Sequence, residues 1–295
     1  MNNYQIEFLQ QNALPDSYLT MAKRSFSPLI NKIITLVNAS QNKTIFIGLN
    51  GCQGSGKTTL GAYLVAQFKH NYHLNSVSCS LDDFYLSQQQ RQQLATSVHP
   101  LLKTRGVPGT HDTLLIKQTL QNFANRKTAW QLAKFDKATD NPLPKAQWQT
   151  IESPVDVVIF EGWCWGTTAQ SQIELITPIN TLEKNEDPHG VWRNFVNEQI
   201  KQHYQKLYQK MHLQVMLKAP SFEQVFQWRL EQEQKLQQKH SFPNDKNSAL
   251  MDNNELAHFI LHFQRLTEHT LKTLPKQVDF LFELDKNRQI ITPQL

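Results

Sequence analysis

Ile45-Phe-Ile-Gly-Leu-Asn-Gly51-Cys52-Gln53-Gly54-Ser55-Gly56-Lys57-Thr58-Thr59 joins a short apolar run to a glycine-rich turn. From Gly51 to Thr58 it matches G-x-x-x-x-G-K-[ST]. Leu60, Tyr63, Leu64 and Phe68 follow at helical spacing, so the turn has a strand before it and a helix after it. A chance glycine turn has no reason to carry both flanks. Glycines permit backbone conformations that a side chain would block, and successive N–H groups can then face phosphate oxygens. The helix N-terminus adds partial positive charge. Lys57 can reach the β- and γ-phosphates, and the Thr58 hydroxyl can ligate Mg2+. The stretch therefore predicts a nucleoside triphosphate site, made by Gly51, Cys52, Gln53, Gly54, Ser55, Gly56, Lys57, Thr58 and Thr59.

Outward from this loop, apolar runs at 44–49, 76–81, 155–160, 213–217 and 278–284 read as buried strands. Helical patterns lie between them, over 56–69, 113–125, 192–210, 222–236 and 254–274. Alternating strands and helices predict an α/β fold, a doubly wound parallel sheet of about five strands. Residues 28–37 carry an apolar helical stripe, and the first two dozen residues are expected to form a further helix. Segments 135–154, 166–190 and 240–254 are excursions, to be read as substrate loops and lids or as disordered stretches. No repeat is found. The expected organisation is one domain over 1–295, with 1–40 a helical extension and 221–255 a lid region.

Thirty basic residues oppose 25 acidic ones, giving a net charge of +5 and a pI near 9.0. The two signs are interspersed, so the excess suits an anionic small substrate as well as nucleic acid. No apolar run approaches the roughly 20 residues of a membrane span. The opening Met1-Asn-Asn-Tyr-Gln lacks the order of a secretion signal. Cys52, Cys79 and Cys164 are odd in number and show no C-x-x-C spacing, which argues against a disulfide framework or zinc site and fits a reducing cytoplasm.

A magnesium nucleotide site needs carboxylates at the carboxyl ends of strands near the loop. Val155-Asp-Val-Val-Ile-Phe-Glu161-Gly162 is an apolar strand ending in such an acid, whereas Asp156 lies at its entry end and reads as a turn or edge residue. Ser80-Leu-Asp82-Asp83-Phe-Tyr85 follows the second strand. One of its aspartates could take the proton of a substrate hydroxyl or help order Mg2+, although Asp pairs also cap turns. Spacing alone does not choose between them. Arg229 falls on the apolar stripe of Phe222, Val225, Phe226 and Leu230, and could close over the transferring phosphoryl group; the ordinary alternative is an ion pair with Glu233. Arg105, His111 and the cluster Lys134-Phe-Asp136-Lys137 could face an anionic acceptor, or be solvated loop charges. Asp112 reads first as a helix N-cap.

Taken together, 51–59, Ser80–Tyr85, 101–112 with its Gly-Thr-His-Asp, Phe135-Asp-Lys137, Phe160-Glu-Gly-Trp163 and Trp228-Arg-Leu-Glu-Gln-Glu233 resemble the uridine kinase, phosphoribulokinase and pantothenate kinase group of P-loop kinases. The likeness is strongest to D-glycerate 3-kinases of plant and fungal type and their bacterial relatives. That resemblance implies the P-loop kinase fold with helical lid and substrate insertions. It implies Asp82 as base, Lys57, Glu161 and Arg229 as its catalytic companions, and Thr58, Asp82 and Glu161 around the metal. Asp83, Tyr85, Arg105, His111, Asp112 and Lys137 would lie toward the acceptor. After Lys137 the sequence lacks the Ser and the Gly- and Arg-rich stretch of the plant enzymes.

The function expected is transfer of the γ-phosphoryl of Mg·ATP to a hydroxyl of a small anionic metabolite, D-glycerate first among them. Another sugar acid, a nucleoside or a pantothenate-like molecule is the alternative acceptor. A nucleotide-hydrolysing switch or a nucleic-acid-binding NTPase would need no acceptor. Asn42-Lys-Thr-Ile45 lacks the Asp of a guanine-reading motif and precedes the loop.

Overall fold

The computed structural model describes residues 1–239 and 253–291, the side chains of 232–254 excepted. Its centre is a parallel sheet of β1 (Ile45–Gly51), β2 (Ser76–Ser80), β3 (Val157–Gly162), β4 (Leu213–Lys218) and β5 (Phe280–Glu283). The order across the sheet is β2-β3-β1-β4-β5. Every residue of β1 and β3 is buried, as expected of strands covered on both faces.

One face packs against the helices Asn3–Gln11, Ser17–Ala39 and Lys57–Tyr72, through Phe8, Phe26, Ile33, Tyr63 and Phe68. The other is covered by Thr113–Ala124, Val191–Gln199 and Asn253–Thr273, through Phe123, Trp165, Val196 and Phe263. The second helix starts well before the apolar stripe at 28–37 and runs through Pro28. Ala22, Phe26, Leu29 and Ile33 continue one buried face across the proline, so packing overrides the local break. The helix expected over 192–210 is interrupted. It runs over Val191–Gln199, takes a π-turn over Ile200–Tyr204, and finishes over Gln205–Tyr208.

Two of the three excursions have structure of their own. Trp130–Leu132 pairs with Gln149–Ile151, and Phe135–Asp136 with Asn141–Pro142, both antiparallel. Segment 166–190 holds two short helices, anchored where Arg265 meets the buried Glu183 at 2.6 Å. Of the segment 240–254 and the lid region 221–255, the helix Phe222–Lys239 is described, while 240–252 lies outside the described residues. Among the described residues no helix is long and apolar enough to cross a membrane.

Strand register then assembles the site. Glu161 stands beside Leu49 of β1 on one side and Ser80 of β2 on the other. The ends of three neighbouring strands thus deliver the loop 51–58, Glu161 and Asp82 to one edge, where ligands bind in open α/β sheets.

Candidate active site

Residues 51–56 curl between β1 and the helix Lys57–Tyr72. Gly54 and Gly56 have φ of +77° and +90°, in the region that favours glycine. A Cβ on Gly54 would lie 2.7 Å from Cβ of Trp228, whereas one on Gly56 would meet nothing within 4 Å. The loop is therefore packed on one side and open on the side where a phosphate could enter. Burial pushes the Cys52 thiol up to about 12, so it is a packing group and no nucleophile. All three cysteines are free and buried.

Thr58 Oγ1 donates to Glu161 Oε1 at 2.8 Å, and Lys57 Nζ lies 3.8 Å from Glu161 Oε2. Glu161 is 2% exposed, and its Oε2 is buried without a hydrogen-bond partner. Burial raises its carboxyl, Asp82 raises it further, and Lys57 and the Thr58 hydrogen bond pull against that. A hydroxyl and a carboxylate oxygen side by side, one of them with a spare lone pair, are donors of the kind Mg2+ takes beside nucleotide phosphates. The residues fit that ion.

Asp82 and Asp83 begin a short 3-10 turn after β2, and the two carboxylates part there. Asp82 accepts from the Tyr85 hydroxyl at 2.9 Å and from Lys137 Nζ at 2.7 Å. Asp83 accepts from Lys134 Nζ at 2.8 Å and, more weakly, from the Phe135 N–H at 3.4 Å. Burial alone would raise the Asp82 carboxyl. Lys137 and Lys57, with hydrogen bonds from Lys137 and Tyr85, outweigh that and hold it well below the usual carboxylate range. Asp82 is thus ionised and faces the nucleotide side, while Asp83 anchors the hairpin Phe135–Pro142.

That hairpin is held on by charge. Asp140, at its tip, pairs with both Arg91 and Arg105, and Asn141 accepts from the Gln88 N–H at 3.0 Å. Arg105 also lies over the Phe135 ring, 5.8 Å from its centre. His111 stacks on Tyr85 and touches Tyr204. Lys137, Arg105 and His111 therefore gather on one wall with Asp82. Asp112 is at the wall's edge, and its carboxylate caps a helix by accepting from the Leu115 N–H at 2.8 Å. Arg229 is half-buried and follows Trp228, the residue against Gly54; the side chain of Glu233 lies outside the described residues. Asp156 accepts from the Asn75 N–H and pairs with Arg126, both at the entry edge of the sheet.

Three site residues were not found by reading the sequence. Arg91 sits in the glutamine-rich stretch 88–93 yet is fully buried. Tyr204 and Arg288 lie far along the chain from the groups they meet. Arg288 Nε donates to the Gly54 carbonyl at 2.8 Å, Nη2 meets Glu231 at 2.7 Å, and the guanidinium lies 5.0 Å from the centre of the Trp228 ring. No local pattern signals any of them.

Comparison with known proteins bears on this geometry. The family described as the KAP family P-loop domain matches residues 26–292. An uncharacterized kinase of Schizosaccharomyces pombe, mug58, is 28% identical over 268 residues, covering 86% of this chain and 92% of that protein. The chloroplastic D-glycerate 3-kinase of Arabidopsis thaliana is 26% identical over 243 residues. That match covers 78% of this chain and 48% of the plant protein, so the chain corresponds to about half of the latter. The solved D-glycerate 3-kinase of Cryptococcus neoformans shares the fold, with a TM-score of 0.71 at 24% identity over 90% of this chain and 96% of that one.

Proposed function

The chain belongs to the KAP family of P-loop domains, and from that premise we propose an ATP-dependent kinase that phosphorylates a hydroxyl of a small anionic metabolite, D-glycerate first. The observation that carries this reading is Asp82. It is an ionised carboxylate on the edge that holds Lys57, Thr58 and Glu161, and its other neighbours are Lys137 and the Tyr85 hydroxyl, on the wall that Arg105 and His111 share. A hydrolase that uses water alone has no need of such a wall.

Lys57 and the loop N–H groups hold the phosphates. Thr58 and Glu161 would hold Mg2+, which supplies charge neutralisation on the β- and γ-phosphate oxygens. Asp82 accepts the hydroxyl proton as the acceptor oxygen attacks the γ-phosphorus, and the bond from that phosphorus to the β-phosphate oxygen breaks to leave ADP. Arg105 and Lys137 bind the acceptor's carboxylate, which takes over charge now neutralised by Asp140 and Asp82. Arg229 closes over the transferring group from the lid helix. The three free cysteines suit a reducing compartment such as the cytoplasm.

ADP release is measured with ATP and D-glycerate, other sugar acids, uridine or pantothenate. D-glycerate should raise turnover well above the water background, and Asp82→Asn should lower kcat by about 100-fold or more with little change in KM for ATP. Turnover indifferent to every acceptor would overturn the kinase reading, and an active Asp82→Asn would remove Asp82 as base.

A further inference from the structure

His111 enters the site as the antiparallel bridge partner of Tyr85, with the two rings stacked at 4.5 Å between centres. The Tyr85 hydroxyl is the one that donates to Asp82. His111 is 4% exposed, and burial lowers it to about 3, so the ring is neutral. A neutral imidazole carries one proton, and its neighbours decide where.

The deciding neighbour is Tyr204. Its hydroxyl accepts from the Gly109 N–H at 3.1 Å and lies 2.7 Å from His111 Nδ1. That fully buried hydroxyl is also met by the His111 backbone N–H, a second donor, so its own proton has His111 Nδ1 to go to. If Nδ1 held the proton, the Tyr204 proton would be left without an acceptor. The Nε2 lone pair would be left without a donor as well. Placing the His111 proton on Nε2 satisfies both Tyr204 and Nδ1. It leaves one group unmet, a buried Nε2–H for which the described residues provide no partner. Buried donors are rarely left so, and one beside a reacting centre calls for a ligand atom. Tyr204 reaches this position as the last residue of the π-turn Ile200–Tyr204, a distortion that re-aims side chains and recurs at functional sites. Gly109, at φ +99°, lets the loop pass where a Cβ would meet the Phe195 ring at 2.6 Å.

We propose that the His111 Nε2–H donates a hydrogen bond to a carboxylate or hydroxyl oxygen of the acceptor, and that Tyr204 is the positioning residue that fixes this tautomer. The proposal rests on the kinase reading for its acceptor but not for its tautomer. It also makes His111 a specificity residue. An acceptor that presents an apolar group there leaves the donor unpaired, which a site built for a hydrogen bond rejects strongly.

Long-range 1H–15N spectra of the ligand-free protein at pH 7 should show His111 protonated on Nε2 alone, and Tyr204→Phe should mix the tautomers. His111→Phe should raise KM for D-glycerate about tenfold or more while KM for ATP moves less than twofold. His111→Gln, whose amide nitrogen takes the place of Nε2, should recover most of that loss. A proton on Nδ1 in the wild type, or a His111→Phe enzyme with an unchanged acceptor KM, overturns the proposal. If D-glycerate elicits no turnover but another acceptor does, the glycerate assignment fails by itself and the KM comparison is made with that acceptor. The wild-type spectrum with the acceptor that supports turnover then decides the donor, and an unmoved Nε2 resonance overturns it.

Discussion

Glu161 is a carboxylate at 2% exposure with one oxygen hydrogen-bonded to Thr58 and the other without a hydrogen-bond partner. The fold gains little from such a group, because removing a charge from water costs more than Lys57 at 3.8 Å returns. On the proposed reading its value lies in the oxygen it keeps for a cation. Glu161→Gln should therefore leave the melting temperature of the ligand-free protein unchanged or raise it, while kcat falls by about 100-fold or more. A variant that melts earlier and still turns over would assign Glu161 to the fold. The same residue was legible in the sequence, because an acid directly after an apolar strand has only one place to go. Arg91 was not. Glutamines flank it on both sides, and only its bonds to the Leu86 and Lys103 carbonyls and to Asp140 show that it faces inward.

Among elements, the phosphate loop and the five strands were legible because each is set by contiguous residues: period, glycine spacing and a terminal acid. The supports of the loop were not, because they come from elsewhere in the chain. Trp228 from the helix Phe222–Lys239 and Arg288 from the turn after β5 clamp the Gly54 segment. Loss of that clamp should act on nucleotide binding before chemistry. Arg288→Ala is expected to raise KM for ATP roughly tenfold with kcat less affected, measured by initial rates at saturating acceptor. Gly54→Ala must fit a Cβ 2.7 Å from Trp228 at a φ of +77°, whereas Gly56→Ala meets only the backbone strain. The first should therefore lose more thermal stability than the second in a paired melting comparison. The π-turn at 200–204 was legible only as a stretched period, since the buried Trp192, Val196, Ile200, Tyr204 and Tyr208 step by four residues rather than about 3.6.

Over the whole molecule, acid should unfold the protein through its buried imidazoles as well as its carboxylates. Burial lowers His262 to about 4 and His111 to about 3, below the usual 6.5. Between about pH 6.5 and 4 the unfolded chain binds protons that the folded chain refuses, so stability falls as pH falls across that window. Urea midpoints should drop over this range, and His262→Leu should flatten the slope by up to about 1.4 kcal/mol per pH unit. An equal slope in that variant would mean that His262 is not kept neutral by the fold.

The clamp on Gly54 also has a consequence for how the protein is made. The loop is synthesised before its support, because its carbonyl is gripped by a residue 234 positions later. The central strand likewise waits for β4 at 213–218 before both its edges are paired. A nascent chain still short of Arg288 holds the whole phosphate-binding sequence without the grip that shapes it. The grip on the phosphate loop is thereby tied to the synthesis of Arg288.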